Sequence, residues 1–281
     1  MNALLPISAA SVFYDGITTE PRLDHPESLV VGPDGAIWCG GEAGQIYRLD
    51  LDRRRLEIIA STGGFTLGLA HLADGRLLTC DLKHGAVFET DLSTGESRVF
   101  ATGSDDVSFK FVNYVLTCPG DDIYVSDSHG FRDPGPGIFR FTPAGVGELW
   151  FDQPLDFANG MALAPDGRAI YVVETFGHRV TRIPIRADGS AGHREVVAEF
   201  PDALPDGLAF GPDGLLYVGC YEPSQICRIT PTGDVEVVVH DADAHTLCHP
   251  TDIAFVGTTL YTTNLGRWHI TSVDLSALLE G

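Results

Sequence analysis

Five residues that carry side-chain oxygen stand at matching points of one repeated phrase. Glu27 heads Glu27-Ser-Leu-Val-Val-Gly-Pro-Asp-Gly, and Asn113 heads Asn113-Tyr-Val-Leu-Thr-Cys-Pro-Gly. Asn159 heads Asn159-Gly-Met-Ala-Leu-Ala-Pro-Asp-Gly, Asp206 heads Asp206-Gly-Leu-Ala-Phe-Gly-Pro-Asp-Gly, and Asp252 heads the shorter Asp252-Ile-Ala-Phe-Val-Gly. A further copy, Leu67-Gly-Leu-Ala-His-Leu-Ala-Asp-Gly, has an apolar head. The heads recur every 40 to 47 residues or about so, the period of propeller blades. In a propeller the first strand of each blade lines the central channel, so six equivalent heads form a ring at one mouth.

Burying such a ring without a partner is costly, and a bound cation removes the cost. Glu27 and Asp206, with Asp252, supply charge. Asn113 and Asn159 supply neutral carbonyl oxygens. An all-oxygen set suits one hard divalent ion, Ca²⁺ first, with Mg²⁺ or Mn²⁺ behind it. Zn²⁺ also accepts carboxylates, but nothing here selects it. Leu67 offers no ligand and leaves an open side. Taken singly, Asn159-Gly160 and Asp206-Gly207 read equally as turn or strand-opening pairs.

The elements that position the ring read as β throughout. Short apolar runs alternate with Gly, Pro, Asp and Ser, and long amphipathic helical patterns are absent. Asp-Gly between two such runs predicts a hairpin, because both residues tolerate positive φ. Third strands follow, as in Gln45-Ile-Tyr-Arg-Leu and Gln225-Ile-Cys-Arg-Ile, and fourth strands after them, as in Val235-Glu-Val-Val-Val. Four strands repeated six times predict an all-β, six-bladed propeller, with residues 1–281 as one domain. The last unit lacks its outer strand. The segment Ala10-Ser-Val-Phe-Tyr14 has no blade of its own, and it is expected to supply that strand and close the ring.

Each hairpin brings the chain back to the rim 14 or 15 residues or so past its head, at Gly41, Asp81, Asp127, Glu174 and Cys220, with Asn264 near that point in the sixth unit. Asp127 is thereby a candidate proton acceptor beside the cation, and Asp81 a second. His129 lies in a Gly- and Pro-rich excursion, residues 128–137, that is expected to cover the mouth. His25 and His249 precede prolines close to the heads.

Thirty-nine acidic against 18 basic residues give a net charge of −21, which repels nucleic acid and anionic lipid, so neither is an expected partner. No apolar run approaches membrane-spanning length. None of the six cysteines forms a C-x-x-C pair, and Cys39, Cys80 and Cys220 sit in apolar runs as core residues. The N-terminus does not read as a signal peptide, so a cytoplasmic protein is expected, as a monomer or weak homo-oligomer. No G-x-S-x-G elbow and no P-loop is present.

The chain resembles the senescence marker protein-30 / gluconolactonase / luciferin-regenerating enzyme family of six-bladed propellers. The resemblance runs over essentially the whole length. It is carried by Pro26-Glu27-Ser28-Leu29, by Asn113, by Phe157-Ala-Asn159-Gly-Met-Ala-Leu-Ala-Pro-Asp-Gly167 and by Pro205-Asp206-Gly-Leu-Ala209. It implies one divalent cation in the channel and hydrolysis of a small-molecule lactone. Glu27, Asn159 and Asp206 fall on the direct ligands, and Asn113 on an asparagine beside metal and substrate. Asp127 looks like an acidic residue of the drug-responsive lactonases in the group. With Asp206, it is the implied catalytic carboxylate.

Sugar lactonases of the family carry an arginine and an aspartate where this chain has Phe111 and Tyr114. Phe65, Phe109, Phe111 and Tyr114 suggest a more apolar pocket. Asn113, Phe111, Tyr114, His129 and Asp252 are the expected substrate contacts. The runs Pro26-Glu27-Ser28-Leu29 and Val172-Val-Glu-Thr175 are also similar to strictosidine synthase-like propellers. A lyase, isomerase or condensation reaction at the same site, or a binding platform with a purely structural cation, are the alternative readings.

Overall fold

The computed structural model describes residues 3–120 and 122–279. Six four-stranded antiparallel sheets stand around one axis. Blades one to five each use four consecutive strands, for example Val112–Thr117, Ile123–Asp127, Gly135–Phe141 and Gly147–Leu155 in blade three. Burial explains the sequence of each strand. Ile123–Asp127, second in its blade, is buried at every residue, because other blades cover both of its faces. The outer strand Glu96–Ala101 keeps few buried positions and is rich in polar residues.

Closure is as the sequence implies. Ala10–Asp15 pairs antiparallel with His269–Asp274 as the outer strand of blade six, which begins with Pro250–Val256. A second tie lies at the axis, where Asp252 of blade six accepts hydrogen bonds from the Ser28 hydroxyl at 2.5 Å and the Leu29 amide at 3.2 Å of blade one. The two ends of the chain are therefore joined at both the rim and the hub. Among the described residues no helix is long and apolar enough to cross a membrane.

The hairpins form as expected. Only the glycines of the Asp-Gly pairs take positive φ, at +76° for Gly35, +90° for Gly75, +70° for Gly167 and +77° for Gly214. The aspartates contribute as acceptors instead. Asp34, Asp74, Asp166 and Asp213 each receive the backbone N–H two residues on, at 3.0 to 3.2 Å. The Gly35 amide donates to Gly32, and the Gly32 amide to Ala36. This is a turn with a single left-handed residue at its end, which the right-handed twist of the strands accepts.

The glycines behind the heads have another purpose. A Cβ on Gly160 would meet Gly207 Cα at 2.7 Å and the Asp206 carbonyl at 2.9 Å, and one on Gly68 would meet Tyr114 Cα at 2.6 Å. Asn159-Gly160 is therefore not a turn. The missing side chain lets neighbouring inner strands come into backbone contact, which narrows the hub. Gly160→Ala is expected to destabilise the protein by about 1–3 kcal/mol, through overpacking that neither backbone can relieve. Urea unfolding measures this, and an unchanged midpoint would refute the close approach.

Candidate active site

Glu27 lies just ahead of Leu29–Val31, Asn113 is second in Val112–Thr117, Asn159 second in Ala158–Leu163, and Asp206 third in Leu204–Phe210. These four residues, from four blades, share the lining of one open cavity of about 460 Å³. The same four meet Ser28, Tyr114, Gly207 and Asp252 around a narrow void directly beneath. The heads thus form the floor of the cavity, and Leu67 lines it as well without a polar group.

Hydroxyls one residue past the second strands decide which way the amides face. Ser128 Oγ donates to the Ala158 carbonyl at 2.7 Å, which uses its one hydrogen. It therefore accepts from Asn113, whose Nδ2 lies 3.0 Å away, and the Asn113 carbonyl oxygen is left to the channel. Asn159 Nδ2 likewise donates to Thr175 Oγ1 at 3.2 Å. Ser126 Oγ donates to the Asn159 carbonyl at 2.8 Å, and Thr263 Oγ1 to the Glu27 carbonyl at 3.3 Å. Hydroxyls of one blade thereby hold the head of the next.

The electrostatics are those of a cation site. Glu27 Oε2 is buried and has no hydrogen-bond partner among the described residues. Burial first, then the neighbouring Asp252 charge, push the Glu27 carboxyl from 4.5 up to about 7. Burial, Glu27 and Asp252 hold Asp206 well above the usual range. Burial also raises Asp252 from 3.8 to about 6, even though Ser28, Ile253, Leu29 and Tyr114 favour its charge. Buried like charges with an orphaned oxygen and two amide carbonyls fit a hard divalent ion held by Glu27, Asn113, Asn159 and Asp206.

Several expected site residues sit elsewhere. The Asp127 carboxylate is buried and receives the backbone N–H groups of Lys110, Phe111 and His129, at 2.7, 2.9 and 2.7 Å. It does not line the cavity and holds the loop in front of Asn113. Asp81, Glu174 and Asn264 do the same, receiving the backbone N–H of Phe65, Asp156 and Cys248. The second ring is thus a set of loop clamps, one per blade in four blades. His129 is engaged by Lys110 at 2.5 Å and by the Asp133 carbonyl at 3.0 Å, outside the cavity lining. Asp252 is committed to the hub, and Tyr114 lies beside it below the floor, so neither reaches a ligand in the cavity. Phe111 and Asn113 do line it. His25 is held by Asp24 and Glu42 against Trp268, and His249 by the Tyr221 carbonyl.

With the geometry in hand, comparison with known proteins is decisive. The family model for the SMP-30/Gluconolactonase/LRE-like region matches residues 26–265. The chain belongs to this family. Lactonase drp35 of Staphylococcus haemolyticus is 26% identical over 239 residues, which span 77% of this chain and 71% of the relative. A gluconolactonase structure from Xanthomonas campestris superposes with a TM-score of 0.78 at 19% identity, over 94% of this chain and 88% of the other. The calcium-binding protein regucalcin from Agrobacterium tumefaciens gives 0.74 at 18% identity, over 97% and 95%. At those identities the two structures speak for the fold.

Sequence reasoning missed Ser128 and Thr175, which orient the amides, and Phe131, Phe157 and Phe176, which wall the cavity. Ser128 and Thr175 follow their heads by 15 and 16 residues, a spacing that marks the same rim as the clamps.

Two measurements probe this family member's hub. Ser128→Ala removes the acceptor that turns Asn113, and cation affinity by titration calorimetry should fall roughly 10–100-fold. Metal-free protein should also show an inverted pH response. Its hub carboxyls have folded pKa values above the unfolded ones, so the folded state binds more protons from about pH 4 to about pH 7. The penalty is absent below that window and complete above it. Tm of chelator-treated protein should therefore rise as pH is lowered from about 8 to about 5. Glu27→Gln should flatten that slope. A slope identical in the two proteins would remove the hub as its cause.

Proposed function

We propose that this protein is a divalent-cation-dependent lactone hydrolase. The observation that carries the reading is the orphaned, buried Glu27 oxygen beside Asp206, Asn113 and Asn159 on the floor of an open cavity. Glu27, Asn159 and Asp206, with Asn113, would hold the ion, with Ca²⁺ preferred for an all-oxygen set. The calcium-binding description of regucalcin and the lactonase names of relatives support this. When bound, the ion supplies Lewis-acid polarisation of an ester carbonyl.

The chain's own residues account for the rest. Glu27 and Asp206 are the two carboxylates of the cavity lining, and Asp127 and Asp252 are committed to backbone and hub. Asp206 is the proton acceptor: water gives it a proton as the water oxygen bonds to the acyl carbon. The ring C–O bond then breaks, and Asp206 returns its proton to the departing ring oxygen, leaving an open hydroxy acid and the carboxylate restored. The Asn159 amide, pinned by Thr175, keeps Asp206 in place. A lactone seated against the apolar walls would displace bulk water, so each charge at the floor would then act in a lower dielectric. A purely structural ion would need no such open cavity above it. Six free thiols suit a reducing compartment, and we place the enzyme in the cytoplasm, acting on a small molecule as a monomer or weak homo-oligomer.

Asp206→Asn should lower turnover of a responsive lactone by roughly 10²–10⁴-fold in a pH-stat assay. Glu27→Gln should lower activity in parallel with cation content, measured by elemental analysis. Asp127→Asn should act through the loop, changing KM and Tm more than kcat. Full activity of Asp206→Asn after exhaustive chelation would overturn the mechanism.

A further inference from the structure

The cavity changes character along its depth. Its charged and amide groups all belong to the floor. Its walls hold no Lys, Arg or His among the described residues, and Tyr221 carries the one wall hydroxyl besides that of Thr175, which already serves Asn159. Above the floor, four phenylalanines from four separate segments converge. Phe157 lies 5.3 Å from Phe111, 4.8 Å from Phe176 and 5.2 Å from Phe131, and Phe131 meets Phe111 edge-on at 5.5 Å.

Two of these rings are held at a cost. Phe157 has φ +64°, a conformation that side-chain-bearing residues rarely adopt, and this places its ring in the cavity lining. Phe131 stays 69% exposed although it touches three other rings. An apolar surface kept open at the mouth of a pocket is the mark of a ligand that covers it.

We propose that the substrates are lactones bearing an aliphatic side chain on the ring. The ester sits on the floor, and the tail lies among Phe111, Phe131, Phe157 and Phe176. The proposal rests on the hydrolase reading above, and the reaction is the same: water adds to the acyl carbon, the ring C–O bond breaks, and a hydroxy acid with an alkyl tail leaves. A polyhydroxylated lactone is disfavoured, because each hydroxyl that enters these walls loses water without gaining a partner. That loss weakens binding by about fivefold to a hundredfold per group. Each methylene buried among the rings strengthens binding by about fourfold.

The test is a series of γ-butyrolactone, γ-hexalactone, γ-octalactone and γ-decalactone beside glucono-1,5-lactone, with the Ca²⁺-loaded full chain. We expect kcat/KM to climb about fourfold per added carbon, reaching roughly 250-fold at γ-octalactone, with glucono-1,5-lactone no better than γ-butyrolactone. Phe131→Ala and Phe176→Ala should each flatten the climb, with Tm checking that the variants are folded. A flat series, or faster turnover of glucono-1,5-lactone than of γ-octalactone, overturns the proposal. If no lactone is hydrolysed, the hydrolase reading fails, and binding decides the ligand class by itself. Fluorescence of N-phenyl-1-naphthylamine in the cavity should then be displaced by γ-decalactone and not by glucono-1,5-lactone. Displacement by neither, or by both equally, overturns it.

Discussion

Buried negative charge on the propeller axis governs this molecule. Glu27, Asp206 and Asp252 come from the first, fifth and sixth blades, and each raises or is raised by another through burial and repulsion. A fold that gathers such groups needs a compensating interaction at the same place. Asp252 finds it in the Ser28 hydroxyl and the amides of Leu29 and Ile253. Glu27 Oε2 finds none within the described protein, and that asymmetry separates the structural carboxylate of the hub from those offered to a ligand.

The rest of the architecture holds that hub to narrow tolerances. Glycines at 68, 160 and 207 allow inner strands to approach until their backbones touch. Serine and threonine hydroxyls bridge from one blade to the head of the next. The carboxylates at the ends of the second strands, Asp81, Asp127 and Glu174, collect backbone N–H groups from the loops that lead into the heads. These groups lie close to the cavity, yet their oxygens are already occupied. Proximity to a site and availability to it are separate properties, and the hydrogen-bond inventory distinguishes them.

A polar floor under apolar walls divides the cavity into two environments, with the carboxylates and amides gathered at the hub and apolar surface above them. Here Phe111, two residues before Asn113, lines the cavity, and Tyr114, one residue after it, lies below the floor beside Asp252. Phe111 precedes the strand Val112–Thr117, and the register shift between Val112 and Tyr114 separates the two aromatic residues, one into the cavity wall and one below the floor. Phe109 goes to the core between blades two and three.

The repeat spacing, the alternation of apolar runs and the unmatched strand at residues 10–14 were enough to establish six blades, their four strands and the closure of the ring. Periodicity determines that much, because each blade must bury the same two faces. The oxygen-bearing heads Glu27, Asn113, Asn159 and Asp206 were also legible, since symmetry carries equivalent positions to one axis. The role of Asp127 was not, because an aspartate that clamps three backbone N–H groups and one that faces water are written with the same letter. Nor were Ser128 and Thr175 as orienting groups, or Phe131 and Phe176 as walls. Those roles depend on where loops of unequal length come to rest and on which single hydrogen a hydroxyl spends. Only the folded chain, with every donor matched to an acceptor, decides that.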